Sequence, residues 1–179
     1  VLEKGVTPSL YQISLAPCWD TFTFTGSEMI DISISPEAAS RQSIELNAFE
    51  LEVTAAQLFY PSRLLPLVVT PVEILHNNSN KKLRLLFNQP LQAGSATLHL
   101  KFTGQINDQM SGLYRSAFAP TGPPEERYLI STLMEPVDAR RVFPCWDEPA
   151  LKARFQLTLQ LPAAVTAISN MPVTTTRNL

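Results

Sequence analysis

An all-β domain, a large twisted, sandwich-like stack of strands with little helix, is the architecture the sequence predicts. Three observations carry that expectation. Apolar and polar residues alternate with period two along most of the chain. Turn-forming residues interrupt the alternation about every 8–12 residues, the spacing of sandwich and barrel domains. No stretch keeps a helical period beyond two turns.

The strands follow in order. Tyr11-Gln12-Ile13-Ser14-Leu15 alternates first, and residues 21–25 alternate Thr with Phe22 and Phe24. Gly26-Ser27 reads as a turn, after which Ile30, Ile32 and Ile34 face away from Asp31, Ser33 and Ser35, so this stretch predicts a hairpin. Residues 43–47 and 50–54 come next. Residues 72–76 and 82–87 form a second predicted hairpin through the Asn-rich turn at 77–81. Residues 96–106 make a long strand, 128–134 a shorter one, and 153–161 alternates through Phe155, Leu157, Leu159 and Leu161. Most prolines, such as Pro36, Pro61, Pro71 and Pro162, fall at predicted strand ends, where a missing N–H does least harm. Residues 119–126 read as a loop. No linker stands out, and residues 1–179 read as one domain.

Composition narrows the function classes. Of 179 residues, 45% are hydrophobic and only 17% charged, which supplies a core and argues against disorder. Fourteen basic and sixteen acidic residues give a net charge of −2 with no basic block, so nucleic-acid binding has no electrostatic footprint. No apolar run approaches the ~20 residues of a membrane helix. No basic-then-apolar signal pattern opens the chain, which says little of the compartment where the true N-terminus can lie upstream; a cytoplasmic location is slightly favoured. The first residue is Val1 and the last three are Arg177-Asn178-Leu179, so the chain is expected to be a domain cut from something longer.

Catalytic residue patterns are sparse. His76 and His99 lie 23 residues apart, far from the i, i+4 spacing of a helical zinc motif. Cys18 and Cys145 are isolated, so no close pair of ligands seeds a metal site. His99 falls on the strand face opposite Leu98 and Leu100. The two cysteines are conceivable as a disulfide, but two buried free thiols are the expected state. Cys145 lacks a histidine nearby in sequence to activate it as a nucleophile. Asn77-Asn78-Ser79 is a glycosylation sequon, meaningful only in a secreted protein.

Residues 132–149 break the pattern. Glu135, Asp138, Asp147 and Glu148 stand among Arg140 and Arg141, interleaved with Phe143 and Trp146. The residue before a proline is pushed out of the helical region, so Glu135, ahead of Pro136, is expected in an extended or turn conformation at a strand end. From charge patterning alone, this is a structural loop pinned by Arg–carboxylate pairs; a functional carboxylate is the competing reading.

The run Met134-Glu135-Pro136-Val137-Asp138-Ala139-Arg140-Arg141, followed by Phe143-Pro144-Cys145-Trp146-Asp147-Glu148-Pro149 and Lys152-Ala153, resembles the N-terminal domain of the aminopeptidase N-like zinc aminopeptidases. Phe102-Thr103-Gly104-Gln105-Ile106-Asn107-Asp108, Gly112-Leu113-Tyr114-Arg115-Ser116 and Ser169-Asn170-Met171-Pro172-Val173 resemble flanking segments of that family, as do Phe24-Thr25-Gly26 and the opening strand. The resemblance covers nearly the whole chain.

The resemblance implies a β domain that precedes a catalytic domain carrying the zinc ligands, which lie outside this chain. It implies that the parent enzyme removes N-terminal amino acids from peptides, and that this fragment, which binds no zinc of its own, is inactive. It implies that Glu135 binds the free α-ammonium group of the peptide. Leu133, where the family commonly has Gln, borders the pocket for the first side chain by the same resemblance; ordinary strand packing is its alternative. Asp138, Arg140, Arg141, Asp147 and Glu148 are expected to be structural. Tyr114 and Arg115, in an expected turn after Gly112, are also assigned to structure. The implied partners are the peptide N-terminus and the chain's own downstream catalytic domain. The alternative is a non-catalytic β-sandwich binding module, or a family relative without metal.

Overall fold

The computed structural model describes residues 1–61, 65–118 and 127–177. Eleven strands are present among them: β1 (Val6–Cys18), β2 (Thr23–Ile34), β3 (Ser43–Asn47), β4 (Leu51–Tyr60), β5 (Leu67–Val69), β6 (Glu73–Asn77), β7 (Lys82–Leu86), β8 (Gly94–Gln105), β9 (Gly112–Phe118), β10 (Arg127–Leu133) and β11 (Arg154–Leu159). A short 3-10 turn at Ala139–Arg141 is the one helical element among the described residues. The all-β expectation holds. The loop expected at residues 119–126 lies outside the described residues.

The strands form a six-stranded sheet in the order β11-β1-β2-β8-β4-β5, a three-stranded sheet β3-β7-β6, and the ribbon β10-β9. Every pairing is antiparallel except β1 with β11, which is parallel. Alternation places Tyr11, Ile13 and Leu15 of β1, Phe24, Ile30, Ile32 and Ile34 of β2, and Leu98, Leu100 and Phe102 of β8 in the core. Ile44 and Leu46 of β3 sit opposite Leu85 and Leu83 of β7, and all four are buried in the same cluster. Each such side chain contributes roughly 1.5–3 kcal/mol by leaving water.

Two expectations about β1 and β2 are corrected. Gly26-Ser27 is no turn, because β2 runs straight through it. The hairpin turn lies at residues 19–22, where Phe22 takes a positive φ of 50°. Gly26 is small for a different reason. Phe24-Thr25-Gly26 runs antiparallel to Phe102-Thr103-Gly104, so Phe24 pairs with Gly104 and Gly26 with Phe102. Each aromatic ring lies over the opposing glycine, and a Cβ on Gly26 would stand 2.2 Å from Phe102 Cε2. The two rings meet edge-on at 6.5 Å.

The prolines of β1 also have a place. Only Leu10–Leu15 is paired on both sides, with β11 and with β2. Pro8, at a register shift, and Pro17 fall where β1 has a single neighbour, so no ladder bond is lost on the β11 side. Two strands are not marked by alternation in the sequence. β5 is three residues long, and β9 begins at Gly112, so Tyr114 and Arg115 lie on a strand and not in the expected turn.

Candidate functional site

The ribbon β9-β10 delivers the chain to the charged segment. Its register runs from Arg127 opposite Phe118 to Leu133 opposite Gly112. Arg115 lies over the Phe22 ring at 3.9 Å and over Tyr128 at 5.8 Å, which ties the ribbon to the β1–β2 turn. Beyond Leu133 the backbone turns through residues 135–138, and the Glu135-Pro136 bond is cis. Glu135 therefore stands in a turn just past the end of β10, as its place before Pro136 predicts.

Arginines and backbone contacts fasten this turn to the rest of the domain. The Asp138 N–H donates to the Met134 carbonyl at 2.8 Å, and Arg141 Nε donates to Asp138 Oδ1 at 2.8 Å. Arg141 also pairs with Glu50, and its guanidinium lies 4.4 Å from the Phe49 ring centre. Arg140 Nε donates to Asp147 Oδ2 at 2.8 Å, while its carbonyl accepts from the Phe49 N–H at 2.9 Å. Gly112, at φ +63°, leaves room for Arg141, whose Cβ would be 2.6 Å from any Cβ there. Cys145 exchanges backbone hydrogen bonds of 2.8 and 2.9 Å with Asn47, so the segment extends the β3 edge. The Glu148 carboxylate accepts from the Leu2 N–H at 2.6 Å.

The four acidic side chains of the segment thus divide. Asp138, Asp147 and Glu148 are engaged within the domain, together with both arginines, as their structural assignment expects. Glu135 is exposed and makes no hydrogen bond or ion pair among the described residues. Exposed apolar side chains stand on β10 and on the segment after it. Leu133 is 43% exposed, and Met134, Val137 and Leu129 are exposed too. Leu133 is thus outside the buried core of this domain.

The histidines and cysteines form no second site. His76 is exposed on β6. His99 lies on the outer face of the sheet against Phe59, with ring centres 4.3 Å apart, and burial lowers its pKa while Asp31 opposes that shift. Cys18 and Cys145 are free thiols. Cys145 is buried, and burial pushes its thiol well above the usual range, which makes it a poor nucleophile. Cys18 is not buried as expected. It is half-exposed at the end of β1, and hydrogen bonds from the Thr21 hydroxyl and then from the Thr21 and Asp20 backbone lower its pKa. No three His, Cys, Asp or Glu side chains gather to hold a metal among the described residues. No helix there is long and apolar enough to cross a membrane.

One buried acid escaped the sequence reading. Glu28 occupies the core face of β2, between Phe24 and Ile30, at 2% exposure. The even-numbered face of residues 24–34 is otherwise apolar or Gly, so strict alternation exposes it. The turn expected at Gly26-Ser27 hid it.

The model of one known family, the peptidase M1 N-terminal domain, matches residues 7–179. The chain belongs to this family. Among curated relatives, aminopeptidase M1-A of Oryza sativa subsp. japonica is 40% identical over 172 residues, covering 96% of this chain and 19% of the relative. Aminopeptidase M1 of Arabidopsis thaliana is 40% identical over 173 residues, again 96% and 19%. The alanine/arginine aminopeptidase of Saccharomyces cerevisiae is 38% identical over 176 residues, 97% and 19%. The chain spans about a fifth of the length of these M1 relatives. The family agrees with the resemblance carried by residues 134–153.

Proposed function

We propose that residues 1–179 form the substrate-anchoring domain of a zinc aminopeptidase. Glu135 grips the free α-ammonium group of a peptide, and a catalytic domain further along the parent chain holds the zinc and cuts. The observation that supports this reading is the division among the acidic side chains. Three are held by partners within the domain, while Glu135 is aimed outward from a turn whose following residues are pinned at Arg140 and Arg141. A carboxylate without an internal partner is free to take an external cation.

The chemistry suits that ligand. An α-amino group with a pKa of ~7.7–8.0 is largely protonated at neutral pH. A carboxylate reads it through short charge-assisted hydrogen bonds. An acetylated N-terminus offers no charge and leaves the carboxylate desolvated and unpaired, which is the source of discrimination against it. The end of β10 and Pro136 give the side chain a rigid mount. Leu133 would supply an apolar wall beside the first side chain of the peptide.

The test is steady-state kinetics on an aminoacyl substrate with the full-length protein carrying Glu135→Ala. Loss of one side of a desolvated charge pair costs ~2–5 kcal/mol, so kcat/KM should fall by roughly 30- to 5,000-fold. Thermal stability should stay within ~0.5 kcal/mol, since Glu135 has no described partner to lose. An unchanged kcat/KM removes Glu135 from the site.

A further inference from the structure

Glu28 is the most heavily buried acid among the described residues. Neither of its carboxyl oxygens has a hydrogen-bond partner among them. Its neighbours across the ladder, Ile13 on β1 and Leu100 on β8, are apolar. A bare carboxylate in such surroundings is costly, and proteins neutralise the group or pair it. No arginine or lysine pairs with it there.

Other polar groups buried in the domain also lack partners among the described residues. Tyr11, opposite Ile30, is the diagonal neighbour of Glu28 on the buried face of the β1–β2 ladder; its hydroxyl accepts the Trp146 backbone N–H at 3.1 Å, yet donates its own proton to no described residue. Trp146 Nε1 is buried and unpartnered as well. Buried polar groups left over in this way are the usual hosts of internal water, which makes two to four hydrogen bonds.

We propose that Glu28 carries an uncharged carboxyl group in the folded domain and shares a buried water with the Tyr11 hydroxyl, fastening β1 and β2 to the Cys145–Trp146 backbone. The water accepts from the O–H groups of Tyr11 and Glu28. The other ionisable groups within reach do not supply a cation. Cys145, buried in the same core, holds its proton, because burial raises its thiol. Arg140 and Asp147, the charged groups beyond it, satisfy each other. β3 and β7 bring Ile44, Leu46, Leu83 and Leu85 into the same core, and the one buried polar side chain they add, Asn47, carries no charge and accepts from the Asp147 N–H. Burial raises the pKa of the Glu28 carboxyl well above the usual carboxylate range.

The consequence is a pH-dependent fastening. Because the folded-state pKa lies above the unfolded one, the contribution of Glu28 is complete below the ordinary value of 4.5 and is lost as pH rises toward the folded value. This inference stands apart from the role of Glu135 and survives or fails without it.

Infrared spectroscopy of the full-length protein tests it. The wild type should show the carbonyl stretch of a protonated acid at neutral pH, and Glu28→Gln should lack it. The folding equilibrium of the domain in wild type should weaken relative to Glu28→Gln by up to about tenfold per pH unit above the unfolded value. If Glu28→Gln fails to fold, Glu28→Leu, which fills similar space without a polar atom, takes its place. Tyr11→Phe should keep the acid band but shift it, because the shared water loses a donor. A wild-type spectrum without that band, or a stability difference that ignores pH, overturns the uncharged acid. A Tyr11→Phe band that does not move overturns the shared water.

Discussion

Gly26→Ala is the sharpest perturbation of the fold that can be worked from the structure. The added Cβ would lie 2.2, 2.4 and 2.9 Å from three carbons of the Phe102 ring, where real contacts essentially never come under 3.0 Å. The ring must therefore move by close to an ångström, and it has little room. Phe102 is 1% exposed, and its edge meets Phe24, which itself covers Gly104. Overpacking of this kind costs ~1–3 kcal/mol. Hydrogen exchange at the β2 and β8 amides of the full-length protein reads that cost as a loss of protection of roughly 5- to 150-fold. Phe102→Ala alone should cost ~3–5 kcal/mol. The double variant should cost ~1–3 kcal/mol less than the sum, because the methyl then enters space the ring has left. A silent Gly26→Ala, or strict additivity in the double variant, would show that the ring does not occupy the glycine notch.

Further outcomes follow from the same contacts. Arg140→Ala leaves Asp147, only 17% exposed, without its partner and should destabilise by about 2–3 kcal/mol, below the ~3–5 of a fully buried pair. The Phe49 amide, bonded to the Arg140 carbonyl, reports this by faster exchange, and unchanged protection there refutes the assignment. Iodoacetamide should alkylate Cys18 and spare Cys145 in the folded protein, with a pH profile centred below the ordinary thiol value of 9.0. Thr21→Val removes the leading cause of that shift and should slow labelling near neutral pH, as peptide mass spectrometry will show; an unaltered rate contradicts the hydrogen-bond explanation.

Much of the fold is legible in the chain because alternation reports which face of a strand is wet. Residues 30–34, 43–47, 82–86 and 96–105 bury the residues their pattern assigns. It fails where backbone need and packing need select the same residue. Gly26 reads as a turn glycine, yet it is small because Phe102 lies on it, and that ring arrives from a strand some 70 positions later. β5 is too short to show a period, and β9 begins with a glycine whose reason, the Arg141 side chain, is also distant in sequence. For the candidate site, the run 134–149 marks the place, and Pro136 marks the strand end. Which carboxylates are engaged depends on Asn47, Phe49, Glu50 and Leu2, far away in the chain. Charge patterning does not separate Glu135 from Asp138, Asp147 and Glu148; the family resemblance singles it out, and three-dimensional pairing shows the other three engaged within the domain.

The claim that Glu135 reads a positive charge is tested most directly by comparing two ligands on the full-length protein. One is a short peptide with a free amine, the other its N-acetylated twin, each bound to wild type and to Glu135→Gln. Glutamine keeps the shape and removes the charge. The account predicts that wild type strongly prefers the free amine and that the preference shrinks by roughly 30-fold or more in Glu135→Gln. A Glu135→Gln protein that discriminates between the two peptides as well as wild type does would contradict it.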